Sequence, residues 1–447
     1  MKTVLVLGAG LVARPLVRYL LELPGLELVV ASRTLTKARE LLGPHPRGSC
    51  VALNVDDDDA LTRLVGRADV VVSLLPYTYH VRVARHCLRH RKHLVTTSYV
   101  SSQMRELDSE ARLAGVVLLN EVGLDPGIDH MSAMRIIHGV KQNGGKILKF
   151  LSYCGGLPAP EANDNPLGYK FSWSPRGVLM AGRNDARYLR GGTEVVVPSR
   201  ELFSHRWWVK VNSEHEFEAY PNRDSIPYIS LYGIDGVRDM LRGTLRNPGW
   251  CDTLKAIVDL GLLNDETVKT GLSNLTTAQW LRTYVPGSGN IRQDVAEKLG
   301  LPIGHPTLER LSWLGLFEER KLGVSQGAAI DVLATLMTER MSYRAGERDM
   351  IVLHHEFLAE YPGGQRRQIW SSLIDFGIPN GDTAMARTVS LPAAIATRLL
   401  LEGEIRISGV VIPLLPELYG PILRELEQLG IVCSDRSLVE RGVPRKP

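Results

Sequence analysis

The chain has 447 residues, more than one hydrophobic core usually serves, so two or three domains are expected. With 44% hydrophobic and 23% charged residues it has the composition of an ordinary globular protein, which excludes a largely disordered chain. A formal net charge of +4 over this length argues against a dedicated nucleic-acid-binding protein and suits small anionic substrates.

The first predicted domain is built from alternating strands and helices. From Lys2 to Asn120, short apolar runs rich in β-branched residues alternate with helical patterns, as in "TVLVLG", "LELVVAS", "SCVALNV", "ADVVVSLL", "KHLVTTS" and "GVVLLN". Parallel strands need helical crossovers and appear as continuous apolar runs. The pattern predicts an α/β fold with a doubly wound parallel sheet of the Rossmann type, over residues 1–124 with about 396–447.

The middle of the chain predicts a second domain and a helical insertion. Strand-like runs such as "KILKFLSYCGG" and "TEVVVPS", and two runs around Pro362-Gly363-Gly364 that favour a hairpin, predict a mixed α/β domain over about 125–232 and 325–395. Helical periodicity from about 233 to 324 predicts a helical domain. The last two helical patterns, "PAAIATRLLLEGEI" and "ELYGPILRELEQLGI", are expected to pack back on an earlier domain.

The cysteines and the N terminus bear on the compartment. The five cysteines are scattered and form no C-x-x-C pair, so neither a disulfide framework nor a metal site is predicted. The chain enters a strand almost at once, in "KTVLVLGAG", without the charged and apolar regions of a signal peptide. We therefore expect a soluble cytoplasmic protein that binds neither membrane nor nucleic acid.

A dinucleotide fingerprint follows the first strand. Gly8, Ala9, Gly10, Leu11, Val12 and Ala13 match G-x-G-x-x-G/A in the strand–turn–helix context that the motif requires. The first glycine makes the turn, the second admits the pyrophosphate, and the amides of the helix N terminus face the anion. The alternative is a glycine turn with a purely structural role.

The end of the second strand indicates which dinucleotide binds. NAD sites usually place an acidic residue there for the ribose 2′-hydroxyl, whereas this chain has Ser32, Arg33 and Thr34. A guanidinium can pair with a 2′-phosphate and the hydroxyls can add hydrogen bonds. The sequence therefore predicts NADP. Neither Tyr-x-x-x-Lys nor His-Glu-x-x-His occurs, which argues against short-chain and zinc-type mechanisms.

Five motifs resemble those of one known family: "SYCGGLPAPEANDNPLGYKFSWSPRG" (152–177), "GLDPGIDH" (123–130), "YPNRDS" (220–225), "GTLRN" (243–247) and "NGDTAMARTVSLPAAIA" (380–396). They resemble the glutamate-forming saccharopine dehydrogenases, also called saccharopine reductases. The resemblance implies a Rossmann domain, a mixed α/β substrate and dimerisation domain and a helical domain. It also implies NADPH-dependent reduction of the imine of L-glutamate and α-aminoadipate 6-semialdehyde to saccharopine, or the reverse oxidation, in lysine metabolism.

The resemblance also implies site residues, motif by motif. Cofactor contacts would fall on the turn Gly8–Val12, on Ser32, Arg33, Thr34, Asn54, Val55, Leu75, Thr97 and Ser98, and on Leu124, Asp125, Pro126 and Ser174. Substrate contacts would fall on Ser98, Tyr99, Asp125, Arg223, Thr244, Leu245 and Arg246. Members of the family often carry Asp at the position of Asn54, where the amide can still form a hydrogen bond.

The chemistry of saccharopine, with three carboxylates and two amines, agrees with these assignments. Arg223 and Arg246 would hold carboxylates, the alternative being surface ion pairs. Asp125 is the first candidate for exchanging a proton with the secondary amine, and Tyr99 and Cys154 are further candidates. Asp125 also stands directly before Pro126, so it is equally a candidate helix cap, whereas His130 is expected to be a buried residue of that helix.

Two alternatives remain open at this point. One is a carboxynorspermidine-synthase-like imine reductase, a carboxyalkylamine synthase that reduces a different imine on the same scaffold. The other is a non-catalytic, NADP-responsive binding protein, because a dinucleotide fold alone does not establish turnover. The hairpin and the family together imply a homodimer.

Overall fold

The computed structural model describes residues 1–440. The described residues divide into two compact units, of which the first comprises Met1–Gly145 and Leu373–Asp435 and the second comprises Lys146–Ser372 and residues 436–440. This division falls at other residues than the boundaries expected at 124 and 396, and the division into three domains stays a prediction.

The N-terminal part of the first unit alternates strand and helix, as predicted. Its strands are β1 (Lys2–Leu7), β2 (Leu26–Ser32), β3 (Gly48–Ala52), β4 (Val70–Ser73), β5 (His93–Thr96) and β6 (Val117–Leu119). Its helices are α1 (Ala13–Glu22), α2 (Leu35–Leu42), α3 (Asp58–Arg67), α4 (His80–Arg89), α5 (Ser102–Arg105), α6 (Asp108–Ala114) and α7 (Ile128–Gln142). All four residues of β4 are buried, which explains why the central strands are continuous β-branched runs.

The second unit contains most of the remaining strands. They are β7 (Lys146–Pro158), β8 (Ala186–Arg190), β9 (Thr193–Val197), β10 (Trp207–Lys210), β11 (Glu216–Pro221), β12 (Asp239–Arg246), β13 (Lys269–Thr270), β14 (Gln326–Gly327), β15 (Asp349–Glu360) and β16 (Arg366–Phe376), whose last residues belong to the first unit. Its helices are α8 (Pro175–Ala181), α9 (Pro227–Leu231), α10 (Trp250–Asp259), α11 (Thr277–Arg282), α12 (Ile291–Leu299), α13 (Pro306–Trp313) and α14 (Ala329–Arg340).

The C-terminal part adds α15 (Ala384–Glu402), β17 (Gly409–Val411), α16 (Pro416–Gln428) and β18 (Ser434–Val439). As expected, α15 packs on α1 and α16 packs on α7, both within the first unit. The sequence pattern predicts no strand between these helices, yet β17 lies there and pairs in parallel with β6. Helix α15 is long and apolar enough to cross a membrane, but 78% of its most apolar window is buried inside the protein, as in the core helix of a globular domain.

The sheet of the first unit has seven strands in the order β17-β6-β5-β4-β1-β2-β3, and each pairing is parallel. This confirms the doubly wound Rossmann-type sheet. The strand order reverses at β1 and β4, so ligands are expected at the carboxyl ends of these strands.

The sheet of the second unit mixes parallel and antiparallel pairs, which confirms the predicted mixed domain. Its main path is β10-β11-β12-β7-β15-β16-β18, with β8 and β9 attached at β12. The hairpin strands β15 and β16 are neighbours in this sheet, as expected. The helical prediction for about 233–324 is wrong at its start, because Asp239–Arg246 form strand β12 at the centre of this sheet. The helices of that range begin only at Trp250.

Candidate active site

The glycine turn after β1 has the geometry that a dinucleotide requires. Gly8 has φ +108°, and a Cβ added there would lie 3.1 Å from the carbonyl oxygen of Leu74, which follows β4. Only glycine adopts this conformation without strain at so close an approach. At Gly10 an added Cβ would meet nothing within 4 Å, so the second glycine faces open space on the described chain. That opening fits a pyrophosphate held against the backbone.

The helix that follows presents free amides to this opening. No side chain caps α1 at Val12, and the first turn of the helix contains no acidic residue. The helix dipole and the uncapped N–H groups therefore favour an anion there. Ala13 is fully buried, which allows the close packing of helix and strand that the fingerprint predicts.

The predicted cofactor contacts at the ends of the next strands lie on the same edge of the sheet. Arg33 and Thr34 are exposed just after β2, and the Thr34 amide donates to Ser32 Oγ at 3.2 Å. Arg33 forms no ion pair with the residues that the structure describes, so its guanidinium is available for a 2′-phosphate. Asn54 is exposed after β3, and its Oδ1 accepts a hydrogen bond from the Asp56 amide at 3.3 Å. Val55 and Leu75 follow β3 and β4, where Val55 is buried and Leu75 is half-buried.

The segment after β5 is tied to the segment after β6. The Val122 amide donates to the carbonyl of Thr96 at 3.2 Å, and the Glu121 amide donates to the carbonyl of Ser98 at 3.1 Å. Thr97, Ser98 and Tyr99 therefore lie beside the chain that leads to Asp125. The structure brings these four predicted site residues together at the carboxyl edge of the sheet.

Asp125 lies on a loop that closes on itself. The Gly123 amide donates to the carbonyl of Pro126 at 2.9 Å, and the Asp129 amide donates to the carbonyl of Leu124 at 3.0 Å. Gly127 has φ +148°, and a Cβ there would lie 2.0 Å from the carbonyl oxygen of Gly123, so only glycine fits. The loop holds Asp125 at its tip.

The interpretation of Asp125 as the helix cap is wrong. Helix α7 begins at Ile128 with Gly127 as its N-cap, and Asp129 Oδ1 accepts the hydrogen bond of the Gly127 amide at 2.6 Å. Asp125 instead accepts a hydrogen bond from the hydroxyl of Tyr99, at 2.7 Å from OH to Oδ1. Two of the three residues named as candidates for proton exchange, Tyr99 and Asp125, are thus in direct contact.

Glu121 and His130 form a buried pair beneath this loop. His130 Nε2 lies 2.7 Å from Glu121 Oε2, and Glu121 Oε1 accepts from the Val100 amide at 2.9 Å. The exposed fractions of Glu121 and His130 are 3% and 0%. Glu121 has φ +59°, a conformation rare for residues with a side chain. The pair therefore connects Val100, the residue after Tyr99, to the first turn of α7.

Replacement of His130 by alanine is expected to lower the free energy of unfolding by about 3 kcal/mol, because it leaves the buried Glu121 carboxylate without its partner. Urea unfolding of the variant measures this loss. The double variant with Glu121→Gln is expected to recover part of the stability, since no charge is then stranded. Equal losses in the single and double variants would contradict the pairing.

His80 and Glu121 were not singled out from the sequence. His80 is the first residue of α4 and is 4% exposed, and burial lowers its pKa to about 4. Its imidazole is therefore neutral at neutral pH. In the sequence it resembles the other histidine of the same helix, His86, and no local motif marks either one.

In the second unit, the predicted residues of β7 and β12 are neighbours. Cys154 pairs with Thr244 in the parallel ladder, and Gly155 packs so closely on Leu245 that an added Cβ would lie 2.8 Å from its carbonyl oxygen. Cys154 and Thr244 are half-buried and Leu245 is fully buried. The structure thus brings together the predicted Cys154 and the run that begins at Thr244.

Arg246, at the end of β12, is a buried cation that has no anionic partner among residues 1–440. It is 6% exposed, and its guanidinium lies over the rings of Tyr169 at 4.9 Å and Trp250 at 5.4 Å. Its Nη1 donates to the carbonyl of Leu245 at 2.8 Å, whereas Nε has no hydrogen-bond partner and no carboxylate pairs with it among residues 1–440. Buried charges are normally paired, so the site is suited to an anionic ligand.

Two other predicted residues of the second unit occupy different local settings. Arg223 is exposed, follows β11 and has φ +57°, and its carbonyl accepts from the Arg187 amide at 2.9 Å. Ser174 is the N-cap of α8, where Oγ accepts from the Gly177 amide at 3.2 Å. It lines a cavity of about 610 Å³ between α8 and α14, and this lining does not include Thr244–Arg246.

Comparison with known proteins gives two family matches and full-length relatives. Residues 4–119 match the family described as saccharopine dehydrogenase NADP binding domain, and residues 123–431 match the saccharopine dehydrogenase C-terminal domain. The chain is 40% identical to saccharopine dehydrogenase [NADP(+), L-glutamate-forming] of Pyricularia oryzae, over 97% of this chain and 99% of the fungal one. The enzyme of the same name from Saccharomyces cerevisiae is also 40% identical, over 98% and 99% of the two chains.

A solved structure and a longer relative complete the comparison. The apo saccharopine dehydrogenase (L-Glu forming) of Saccharomyces cerevisiae superposes with a TM-score of 0.89 at 39% identity, covering 98% of this chain and 100% of the yeast chain. Bovine mitochondrial alpha-aminoadipic semialdehyde synthase is 38% identical over 98% of this chain, which covers 48% of the bovine protein. The glycine turn, the paired Tyr99 and Asp125 and the full-length likeness lead to one conclusion: the chain belongs to the saccharopine dehydrogenase family.

Proposed function

We propose that this chain is an NADP-dependent oxidoreductase that acts on the C–N bond of saccharopine. It reduces the imine formed from L-glutamate and α-aminoadipate 6-semialdehyde, or oxidises saccharopine back to these compounds. The observation that carries the proposal is the contact of Tyr99 with Asp125 at the sheet edge that also bears the glycine turn. The names of the fungal relatives support the same reaction.

The first unit binds NADP through groups spread along one sheet edge. The amides of α1 hold the pyrophosphate, while Arg33 pairs with the 2′-phosphate and Ser32 and Thr34 add hydrogen bonds. When bound, the cofactor would supply the hydride for imine reduction or take it up in the oxidation. Every other task falls to the side chains of the chain itself.

Asp125, held by Tyr99, exchanges the proton of the substrate's secondary amine. The Asp125 carboxylate, fixed by the closed loop and by the Tyr99 hydroxyl, accepts a proton from the secondary ammonium of saccharopine so that the nitrogen lone pair can assist hydride loss. In the opposite direction it returns that proton. Cys154, half-buried beside Thr244, is a further group that can exchange protons with the carbinolamine.

The second unit supplies guanidinium groups for the substrate carboxylates. Arg246 is buried and lacks an anionic partner among the described residues, so a carboxylate would complete its hydrogen bonding. Arg223 is the second proposed carboxylate ligand.

The test of this function is saccharopine oxidation followed with NADP and with NAD, side by side. We expect turnover with a clear preference for NADP, and in reverse we expect NADPH oxidation with the semialdehyde plus glutamate but not plus a diamine. Turnover with the diamine alone would favour the carboxyalkylamine synthase. NADP binding without turnover of any amino-acid substrate would favour the binding protein.

Replacement of Arg33 by aspartate is expected to reverse the cofactor preference. The new carboxylate would repel the 2′-phosphate of NADP and could accept a hydrogen bond from the 2′-hydroxyl of NAD. The ratio of kcat/KM with NADP to that with NAD is expected to fall at least about a hundredfold. Arg39→Asp, a charge change on the neighbouring helix α2, serves as the control. An unchanged ratio in Arg33→Asp would remove Arg33 from the cofactor site.

A homodimer and a cytoplasmic location are proposed as well. The dimer rests on the resemblance and on the hairpin β15–β16, and the location rests on the cysteine usage. Analytical ultracentrifugation tests the dimer, and a fluorescent fusion observed in the source cells tests the location.

A further inference from the structure

His80 joins three hydroxyl groups at the carboxyl ends of neighbouring strands. Its Nδ1 lies 2.9 Å from Ser73 Oγ, at the end of β4. Its Nε2 lies 3.0 Å from Thr96 Oγ1, at the end of β5, and 2.8 Å from Ser98 Oγ, just beyond that strand. Both ring nitrogens are therefore used, and all three hydroxyls stand at the edge of the sheet where the cofactor contacts lie.

The neutral ring has one N–H donor and one acceptor nitrogen, so it imposes directions on the hydroxyls around it. Burial keeps it in this form, with a pKa of about 4. Ser73 and Thr96 are fully buried and serve the interior, whereas Ser98 is half-buried and is the member of the group that can also meet a ligand.

The backbone of Ser98 is already held on both sides. Its amide donates to Thr96 Oγ1 at 3.4 Å and its carbonyl accepts from the Glu121 amide at 3.1 Å. What remains free is the rotation of the side chain and the direction of its O–H bond. The imidazole removes that freedom, because Oγ must stay within hydrogen-bond distance of Nε2.

We infer that His80 is a positioning residue, which holds the Ser98 hydroxyl in the orientation that meets the bound ligand. The inference rests on the proposed function and on the contacts of Ser98 with cofactor and substrate that the family resemblance implies. His80 itself touches neither of them. Its effect is transmitted entirely through Ser98, so removing Ser98 should make His80 irrelevant to ligand binding.

The test is a double-mutant cycle between His80→Asn and Ser98→Ala in the full chain. The dissociation constants of NADPH, by its fluorescence, and of saccharopine, by calorimetry, are measured along with KM and kcat. We expect each single variant to raise the dissociation constant of one of the two ligands about tenfold. The double variant is expected to bind that ligand no more weakly than Ser98→Ala does. His80→Gln, whose longer amide reaches the position of Nε2, is expected to recover part of the loss.

A matched control separates positioning from folding. His86 lies on the same helix, is 5% exposed and contacts the Thr62 hydroxyl at 2.7 Å, so His86→Asn makes the same change away from Ser98. We expect this variant to lower the melting temperature without changing either dissociation constant. If the losses in His80→Asn and Ser98→Ala multiply in the double variant, His80 does not act through Ser98 and the inference is overturned. If Ser98→Ala binds both ligands normally, the proposed role of Ser98 fails, and the inference with it.

Discussion

Replacement of Arg246 by methionine is expected to lower kcat/KM for saccharopine about a thousandfold while leaving the free energy of unfolding unchanged or higher. A charge-assisted pair with a carboxylate in a desolvated site contributes about 4 kcal/mol, which corresponds to that factor. The folded chain, by contrast, gains little from a buried guanidinium whose Nε has no partner among the described residues. Methionine fills the same volume between the aromatic rings of Tyr169 and Trp250 without a charge.

The two halves of this result are measured separately. Steady-state kinetics with saccharopine give kcat and KM, and the loss is expected mainly in KM if the carboxylate is held equally in the ground and transition states. Urea unfolding gives the stability. NADPH binding, followed by fluorescence, is expected to be unchanged, because Arg246 is proposed to contact the substrate and not the cofactor.

Lys170 offers a contrasting control in the same unit. It is also buried, at 2% exposure, but Nζ lies 2.8 Å from Asp164 and 2.7 Å from Glu347. Lys170→Met removes the partner of two carboxylates and is expected to lower the free energy of unfolding by about 3 kcal/mol. If Arg246→Met proved equally destabilising, Arg246 would be a structural cation like Lys170 and not a ligand for the substrate.

The parallel sheet of the first unit was predictable because its signals are local. The central strands β1, β4, β5 and β6 are mostly buried and therefore appear as continuous β-branched runs, and each crossover helix has its own apolar stripe. The glycine turn follows the first run directly, so the cofactor edge could also be placed. Arg33 was found because the residue after β2 has a fixed task in such folds.

The strands that the sequence did not reveal lack these signals. Strand β12 contains two buried arginines, Arg242 and Arg246, and a glycine, Gly243, which permits close packing on the ring of Tyr153. Each of these residues weakens a β pattern, and only the neighbouring strands β7 and β11 compensate for them. Strand β17 has three residues and exists because β6 offers it a partner.

The residues of the site that were overlooked act through partners distant in sequence. His80 meets Ser98 across 18 positions and Glu121 meets Val100 across 21, so only the sheet brings each pair together. The role of Asp125 was ambiguous for a related reason. Its position before a proline satisfies the local rule for a cap, but the closed loop transfers that role to Gly127 and Asp129. Local propensity cannot foresee a loop that closes on its own backbone.

Replacement of Asp125 by asparagine is expected to lower kcat about 10²–10⁴-fold, the range for loss of a general acid–base group. Asparagine keeps an oxygen that accepts the Tyr99 hydroxyl and is nearly the same size, so the loop Gly123–Gly127 should persist. What disappears is the ability to take a proton from the secondary ammonium. The measurement is kcat for saccharopine oxidation across the pH range, together with the saccharopine dissociation constant.

Two further variants make the result specific. If Tyr99 acts through Asp125, Tyr99→Phe combined with Asp125→Asn is expected to lose less than the product of the single losses. Asp129→Asn is the matched control: this buried carboxylate lies four residues away and supports Gly127, so its loss should reduce stability while kcat stays within about threefold. A kcat for Asp125→Asn as high as that for Asp129→Asn would show that another group exchanges the proton. Cys154 would be tested next, because its half-buried thiol is also proposed to exchange protons with the carbinolamine.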